Sequence, residues 1–185
     1  MKTTKVKDLM VPIEEYATVS AEANLYSAVI ALGEAQKKFR QDRYKHRAIL
    51  VYDDKKKIVG KLSQLDVIRG LETGYKKLGD LKGLSHSGFS PELIRSMIER
   101  YNLWGESLDD ICRKGGKIKV RDVMYSPSEG EYVREDATLA EAIHQLVIGR
   151  HQSLLVTRDK DIVGILRLTD VFTEVCDRMK ACEIG

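Results

Sequence analysis

The chain lacks the features that mark secreted, membrane-spanning and nucleic-acid-binding proteins. Only 3 of its 185 residues are cysteine, an odd number without a CxxC pair, so disulfides are not expected and a reduced cytoplasmic interior fits best. No run of about 18 apolar residues is present, and no apolar signal-peptide core follows the charged first residues. The 31 Lys and Arg exceed the 28 Asp and Glu by only +3, which gives no reason to expect a polyanion partner.

The motifs of common enzymes are missing as well. The four histidines show neither HExxH nor another metal-ligand spacing. A Gly-x-Ser-x-Gly elbow and the Gly-Lys-Ser/Thr ending of a P-loop are also absent. We therefore expect no catalysis and no catalytic cofactor. The composition, 43% hydrophobic and 32% charged, is that of a globular protein with a buried core.

What the sequence does contain is an internal repeat. KVKDLM at residues 5–10 returns as KVRDVM at residues 119–124. HRAILV at residues 46–51 returns as HQSLLV at residues 151–156, and the IVG that follows each block is also repeated. Because the matching blocks keep their order along the chain, they indicate two copies of one fold rather than chance similarity.

Each copy predicts the same local structure. A polar cap, Asn24 in the first copy and Thr138 in the second, precedes a helix with one apolar face. Short apolar runs then predict a pair of strands joined by a polar turn, followed by a closing helix. The predicted strands lie at residues 49–52, 58–62, 154–156 and 162–166. The expected fold class is α+β, with two pseudo-symmetric βαββα repeats.

Between the copies lies a segment without a counterpart. Ser90 followed by Pro91 predicts the start of one helix, and Ser107 predicts the start of another. The first of these helices carries an apolar face formed by Leu93, Ile94, Met97, Ile98 and Tyr101. We therefore divide the chain into repeat 1 (residues 1–71), a helical insertion (residues 72–118) and repeat 2 (residues 119–185).

Together these motifs resemble the CBS-domain pair, the module named after cystathionine β-synthase. The matching parts are the Lys-Val-x-Asp-hydrophobic-Met start of each copy and GKLSQLD at residues 60–66, altered to GILRLTD at residues 164–170. The resemblance covers roughly residues 5–71 and 119–180 and leaves the insertion unmatched. It implies a stand-alone regulatory module that binds AMP, ADP, ATP or a related adenosyl ligand such as S-adenosylmethionine between its repeats. The resemblance also implies a homodimer that signals to an effector protein.

The resemblance further implies which residues contact the ligand. Asp66 and Asp170 stand at the motif position whose carboxylate can accept both hydrogen bonds of a ribose diol. Ser63, with the amides of the helix that follows, can face a phosphate. The alternative for both aspartates is that they only cap their helices, since aspartate favours helix starts.

Charged residues near the two hairpins complete the expected site. His46 and Arg47 occupy positions that contact phosphates in nucleotide-sensing relatives such as the gamma subunit of AMP-activated protein kinase, and His151 is the second-copy equivalent. Gln152 replaces the arginine in the second copy, and Arg167 stands where Ser or Thr is usual. Arg167 either strengthens the binding of a charged ligand or pairs with the nearby aspartate and leaves the cleft empty.

Two other interpretations of the function remain open. Arg167 and Gln152 favour a nucleotide-independent interaction adaptor whose clefts have degenerated. RNA or DNA binding finds little support in a charge that is nearly balanced and scattered. For the nucleotide-binding module, we expect the insertion to contact a second copy or an effector, because its apolar face needs burial.

Overall fold

Seven strands and six helices build the described part of the chain, residues 4–38, 47–78 and 88–182 of a computed structural model. The strands are β1 (Val11–Pro12), β2 (Thr18–Ser20), β3 (Ala48–Tyr52), β4 (Ile58–Ser63), β5 (Tyr132–Arg134), β6 (Ser153–Arg158) and β7 (Asp161–Arg167). The helices are α1 (Leu25–Lys38), α2 (Gln64–Leu71), α3 (Pro91–Tyr101), α4 (Leu108–Gly115), α5 (Leu139–Gly149) and α6 (Leu168–Ala181). The predicted α+β class, with two repeats and a helical segment between them, is confirmed.

Each repeat builds a sheet of the same design. In repeat 1, β2 lies parallel to β3, and β3 pairs with β4 as an antiparallel hairpin. In repeat 2, β5, β6 and β7 are arranged in the same way. Even the irregularity in the hairpin register recurs, between Val51 and Tyr52 in one copy and between Val156 and Thr157 in the other. The duplication seen in the sequence is therefore a duplication of backbone pairing.

The helices begin at the polar residues that the sequence indicates. The N–H of Glu141 donates to Oγ1 of Thr138 at 3.3 Å, and the Glu141 carboxylate accepts from the Thr138 N–H at 2.6 Å. Asn24 caps α1 by accepting, at 2.8 Å, from the N–H three residues on. Ser90 and Ser107 cap α3 and α4 in the same manner. These caps supply acceptors for N–H groups that have no partner inside the helix.

The opening segment of repeat 1 crosses to repeat 2. We call residues 4–12 crossing segment 1. The N–H of Val6 donates to the carbonyl of Ala137 at 3.0 Å, and the N–H of Leu139 donates to the carbonyl of Thr4 at 2.9 Å. β1 then joins the sheet of repeat 2 by pairing antiparallel with β7. Because Val6 is fully buried in the core of repeat 2, that core is incomplete without repeat 1.

The opening segment of repeat 2 makes the reciprocal crossing. We call residues 118–125 crossing segment 2. The N–H of Val120 donates to the carbonyl of Ala23 at 2.9 Å, and Tyr125 forms an antiparallel bridge with Lys61 in β4. Val120 is fully buried in the core of repeat 1. Each repeat therefore supplies one segment of the other's core.

A glycine in each repeat makes room for these crossings. A Cβ on Gly164 would lie 2.7 Å from the carbonyl oxygen of Val11 and 3.0 Å from Sδ of Met10. A Cβ on Gly60 would lie 2.8 Å from a backbone oxygen of crossing segment 2 and 3.0 Å from Sδ of Met124. Glycine allows this close backbone approach because it carries no side chain. In each repeat, the glycine in the sheet therefore contacts the methionine of the crossing segment that comes from the other repeat.

A further apolar cluster, the inter-repeat core, ties the two sheets together. It consists of the buried residues Val11, Tyr16, Leu50, Leu155 and Ile165, with Ile13, Ile58 and Ile162 packed against them. Leu50 of this core pairs with Lys61, two residues before Ser63, and Ile165 lies two residues before Arg167. The two candidate clefts are therefore held at fixed positions by packing between the repeats.

The insertion packs on repeat 1 through α4 but leaves α3 uncovered. Gly115 of α4 lies so close to Leu71 of α2 that a Cβ would come within 2.5 Å of its Cδ2. Leu103 and Ile111 of the insertion are buried. None of the 11 residues of α3 is buried, and three of the five residues of its predicted apolar face are exposed.

Candidate functional site

The predicted contacts of repeat 1, Ser63 and Asp66, meet where β4 ends and α2 begins. Oγ of Ser63 accepts from the Asp66 N–H at 3.2 Å, and Oδ2 of Asp66 accepts from the Ser63 N–H at 2.9 Å and from its hydroxyl at 2.6 Å. Arg69 donates to Oδ1 of the same carboxylate at 2.7 Å. The helix-capping role of Asp66 is therefore real, and a ribose would share a carboxylate that is already hydrogen-bonded. The ribose contact itself stays a prediction.

Arg47 lies at the same edge of the sheet. Its carbonyl accepts from the N–H of Gln64 at 3.1 Å, and the neighbouring Ala48 pairs with Ser63 across the hairpin. The Arg47 side chain is exposed. A positive charge can therefore reach the N-terminus of α2 from the adjacent strand. His46, the other residue predicted there, lies outside the described residues.

A buried ion pair that the sequence analysis missed joins the two repeats beside this edge. Nζ of Lys61 lies 2.6 Å from Oε2 of Glu131, and the two side chains are only 16% and 3% exposed. The hydroxyl of Tyr125 donates a hydrogen bond to Oε1 of Glu131, and the N–H of Ser128 donates to the same oxygen at 3.2 Å. Successive side chains of a strand alternate between faces, so Lys61 shares a face of β4 with Ser63. We call Lys61, Ser63, Asp66, Tyr125 and Glu131 together cleft 1.

The electrostatics of cleft 1 follow from these hydrogen bonds. Burial acts to raise the pKa of Glu131, but the hydrogen bonds from Lys61 and Tyr125 outweigh it and hold the pKa below its usual value. The hydrogen bond to Glu131, together with burial, raises the pKa of Tyr125 to about 12. The charge of Asp66 adds to that rise. At neutral pH the Glu131 carboxylate is therefore ionised and the Tyr125 phenol is neutral.

The internal repeat carried a signal for this pair. In the alignment of the copies, Lys61 corresponds to Ile165, a residue that is 1% exposed in the inter-repeat core. A lysine at a buried position requires a counter-charge. The sequence indicated the need for a partner but could not identify Glu131, which lies 70 residues away.

Repeat 2 brings Arg167 and Asp170 together at the equivalent edge. Nε of Arg167 lies 2.5 Å from Oδ2 of Asp170, and Nη2 donates to the other carboxylate oxygen. Tyr16 is buried in the inter-repeat core, and the charges of both residues act on its phenol. Burial raises the pKa of Tyr16 to about 12, with the charge of Arg167 opposing the rise and that of Asp170 adding to it. We call Arg167, Asp170 and Tyr16 cleft 2.

The remaining predicted residue, His151, follows the C-terminal end of α5. Its N–H donates to the carbonyl of Leu146 at 3.0 Å, and its ring packs so closely on Gly149 that a Cβ there would lie 2.0 Å from Nε2. The next residue, Gln152, accepts from the N–H of Leu168 at 3.0 Å, as Arg47 does from its partner in repeat 1. The imidazole therefore packs against the helix end, and its role as a ligand contact stays a prediction.

A cavity of about 250 Å³ lies away from both clefts, between repeat 1 and the insertion. Its lining includes Leu71, Glu72, Glu106, Ile111 and Lys114, and none of the predicted ligand contacts. Pockets that bind drug-sized ligands have volumes of about 300–1,000 Å³, so this cavity is smaller than a typical ligand pocket.

Within the described residues, no three His, Cys, Asp or Glu side chains are grouped so as to hold a metal ion. None of the helices in that part of the chain is both long and apolar enough to cross a bilayer.

Solved structures with the same fold include several CBS-domain proteins. CBSX2 in complex with AMP is 19% identical with a TM-score of 0.58, and the match covers 95% of this chain and 98% of that one. A CBS domain-containing protein of unknown function from Bacillus anthracis str. Ames Ancestor is 19% identical with a TM-score of 0.60, over 96% of both chains. Another from Kribbella flavida is 18% identical with a TM-score of 0.59, over 94% and 98%. Identities this low show the fold alone.

Comparison with family models is more specific. No curated protein matches the chain. The CBS domain model matches it twice, at residues 6–73 and 120–177, which together make up more than half of its length. Both matches begin at the Lys-Val-x-Asp-hydrophobic-Met motifs that make the reciprocal crossings. The chain therefore belongs to the CBS domain family and contains two CBS domains.

Proposed function

We propose that this protein is a regulatory module that binds an adenine nucleotide or a related adenosyl ligand in cleft 1. Ser63 and Asp66 supply the motif at the start of α2, and the Asp66 carboxylate accepts the ribose hydroxyl groups. The N-terminal amides of α2 and the exposed Arg47, which directly precedes β3, face the phosphate. The observation that carries the proposal is the meeting of this motif with the exposed Arg47 at one sheet edge, beside the contact between the repeats.

The relatives support an adenosyl ligand. CBSX2 has the same fold and was solved in complex with AMP. AMP, ADP, ATP and S-adenosylmethionine share the adenosine moiety, so one ribose contact serves all four. A ligand at this position touches both repeats and shifts the contact with an effector if it binds two arrangements of the repeats with different affinity.

Replacing Asp66 by asparagine is expected to weaken AMP binding roughly 10- to 100-fold. A hydrogen bond to a charged group contributes about 1.5–3 kcal/mol, and the amide keeps only part of the carboxylate's capacity to accept. Isothermal titration of the full chain with AMP, ADP, ATP and S-adenosylmethionine measures the effect.

Glu141→Gln is the matched control for this experiment. Glu141 also accepts from the N-cap residue of its helix, but it is exposed on α5, away from both clefts. Glu141→Gln should lower the stability of its helix by a similar amount and leave the affinity for AMP unchanged. An equal affinity in Asp66→Asn and wild type would refute the ribose contact. If wild type binds none of the four ligands, the nucleotide-independent interaction adaptor is the remaining hypothesis. The ion pair between Arg167 and Asp170 already favours that hypothesis for cleft 2.

The second part of the proposal is a homodimer formed through α3. Leu93, Ile94 and Ile98 are 44–46% exposed on this helix. An 11-residue helix gains most of its stability from packing, so an uncovered apolar face favours association. In this proposal the effector approaches the surface that the dimer leaves free.

The double variant Ile94→Glu, Ile98→Glu is expected to halve the mass measured by light scattering, from a dimer to the 21.0 kDa monomer. Both side chains are already exposed, so the substitutions cost the monomer little stability. Val147→Glu with Ile148→Glu, two exposed apolar residues of α5, is the matched control and should stay dimeric. If the α5 variant dissociates while the α3 variant does not, α3 is not the interface.

A further inference from the structure

The two repeats place different side chains at the same point of the fold. β4 ends at Ser63 and β7 ends at Arg167, and each of these residues is the N-cap of the helix that follows. Three residues on, Asp66 and Asp170 each lie in the first turn of that helix. Comparing the two repeats therefore shows what an arginine does at an N-cap position where the other repeat has a serine.

Arg167 engages both oxygens of the Asp170 carboxylate. Nε donates to Oδ2 at 2.5 Å, and Nη2 donates to Oδ1, which is the bidentate geometry of a strong Arg–carboxylate pair. A ribose diol would bring its two hydroxyl groups to the same carboxylate and compete for the same lone pairs. The two side chains are only 7% and 17% exposed, so water does not weaken the pair.

Tyr16 is a buried residue of repeat 1 whose phenol feels the charges of this ion pair. It follows β1, the strand that repeat 1 contributes to the sheet of repeat 2, and its side chain is buried in the inter-repeat core. The charges of Arg167 and Asp170 act on the phenol in opposite directions. A ligand that entered cleft 2 would have to displace the guanidinium from a largely buried carboxylate.

Cleft 1 differs in the arginine that pairs with its motif aspartate. The arginine that pairs with Asp66 is Arg69, which is 47% exposed and makes one hydrogen bond to Oδ1. An exposed arginine can move into water at little cost, because solvent already screens its interaction with the carboxylate. Displacing the buried Arg167 would instead leave Asp170 without its counter-charge.

We propose that Arg167 closes cleft 2 from within, so that the protein binds a single nucleotide, in cleft 1. The guanidinium takes the place of the ligand's polar groups at the Asp170 carboxylate. This inference rests on the proposed function, since it concerns how many adenosyl ligands the two clefts accept. The module is then an asymmetric sensor, in which only cleft 1 binds a ligand and the Arg167 guanidinium permanently occupies cleft 2.

Isothermal titration of the full chain with AMP tests the inference through its stoichiometry. We expect one equivalent of AMP for wild type and two for Arg167→Thr, because threonine can cap α6 as Ser63 caps α2 and leave the Asp170 carboxylate accessible. Arg69→Thr is the matched control, because it removes the other arginine paired with a motif aspartate, and it should remain at one equivalent. The double variant Asp66→Asn, Arg167→Thr should lose binding in cleft 1 and still bind AMP in cleft 2, which the loss of Arg167 opens.

The outcomes separate this inference from the proposed function. Wild type that binds two equivalents, or a folded Arg167→Thr that still binds one, overturns the closure of cleft 2 and leaves nucleotide binding intact. If neither protein binds AMP, both proposals are wrong. A cooperative thermal transition shows whether Arg167→Thr is folded. Should that variant fail to fold, the wild-type stoichiometry and an unchanged AMP affinity in Asp170→Asn decide the question.

Discussion

Replacing Lys61 by isoleucine is expected to lower the free energy of unfolding by about 3–5 kcal/mol at pH 7. The substitution leaves the Glu131 carboxylate buried at the contact between the repeats without its counter-charge. Isoleucine itself fits such a position, because Ile165 occupies the equivalent place in β7 and is almost completely buried. The loss would therefore come from the stranded charge rather than from packing. Urea denaturation followed by circular dichroism measures it.

The double variant Lys61→Ile, Glu131→Gln isolates that charge. A neutral amide keeps an acceptor for the Tyr125 hydroxyl and carries no charge that needs compensation. We expect it to recover at least half of the stability lost in Lys61→Ile, since replacing both members of a buried pair costs far less than removing one. If the double variant is as unstable as the single one, the lysine acts by packing and not by charge.

The pH dependence of the same variants gives a second test with a definite sign. In wild type the pKa of Glu131 is held below its usual value of 4.5, so the stability it contributes is complete above that value and is lost as the pH falls through the folded-state pKa. Without Lys61, burial raises the pKa of Glu131 instead, and protonation then favours the folded state. The stability difference between wild type and Lys61→Ile should therefore narrow between pH 7 and pH 4. A difference that widens on acidification would contradict the ion pair.

Local structure was predictable from the sequence because local rules govern it. Thr138 and Glu141 stand at the spacing of a capping box, and the structure forms that box. The hairpin turn of repeat 1 begins at Asp53, whose carboxylate accepts from the N–H groups of Lys55 and Lys57 at 2.9 Å. Such interactions span only a few residues, so the residue types and their spacing determine them.

The candidate site was predictable only in part, because its partners come from different repeats. The meeting of Ser63 and Asp66 follows from their spacing at a helix start. Glu131 and Tyr16 reach the two clefts only through the packing of one repeat on the other, and no local pattern in the chain encodes that arrangement. For the same reason the pairing of Arg167 was one of two open alternatives, and the burial of both side chains favours the ion pair over a solvated arginine.

The reciprocal crossing is the clearest case of structure that the repeat could not reveal. The motifs at residues 5–10 and 119–124 are nearly identical, and so are the cores they enter. The motif would fit its own repeat as well as the other, so its sequence cannot distinguish the two arrangements. The hydrogen bonds from Val6 to repeat 2 and from Val120 to repeat 1 show that each segment completes the other repeat's core.

This crossing leads to the second large expected effect. Val6→Asp should lower the free energy of unfolding by about 4 kcal/mol or more, because it places an unpaired charge in the core of repeat 2. The adjacent Lys7→Asp is the matched control, since that side chain is exposed, and it should cost less than about 1 kcal/mol. Chemical denaturation of the two variants measures the contrast.

The milder variant Val6→Ala shows where that stability resides. It removes two buried methyl groups and should cost about 1–3 kcal/mol while the protein stays folded. Hydrogen exchange should then quicken in α5, β6 and β7, more than 130 residues away in sequence, and change less in β3 and β4, which belong to the same repeat as Val6. Val120→Ala should give the mirror image, with β3 and β4 affected most. If Val6→Ala instead loosens β3 and β4 first, each opening segment stabilises its own repeat and the crossing is not what joins the two domains.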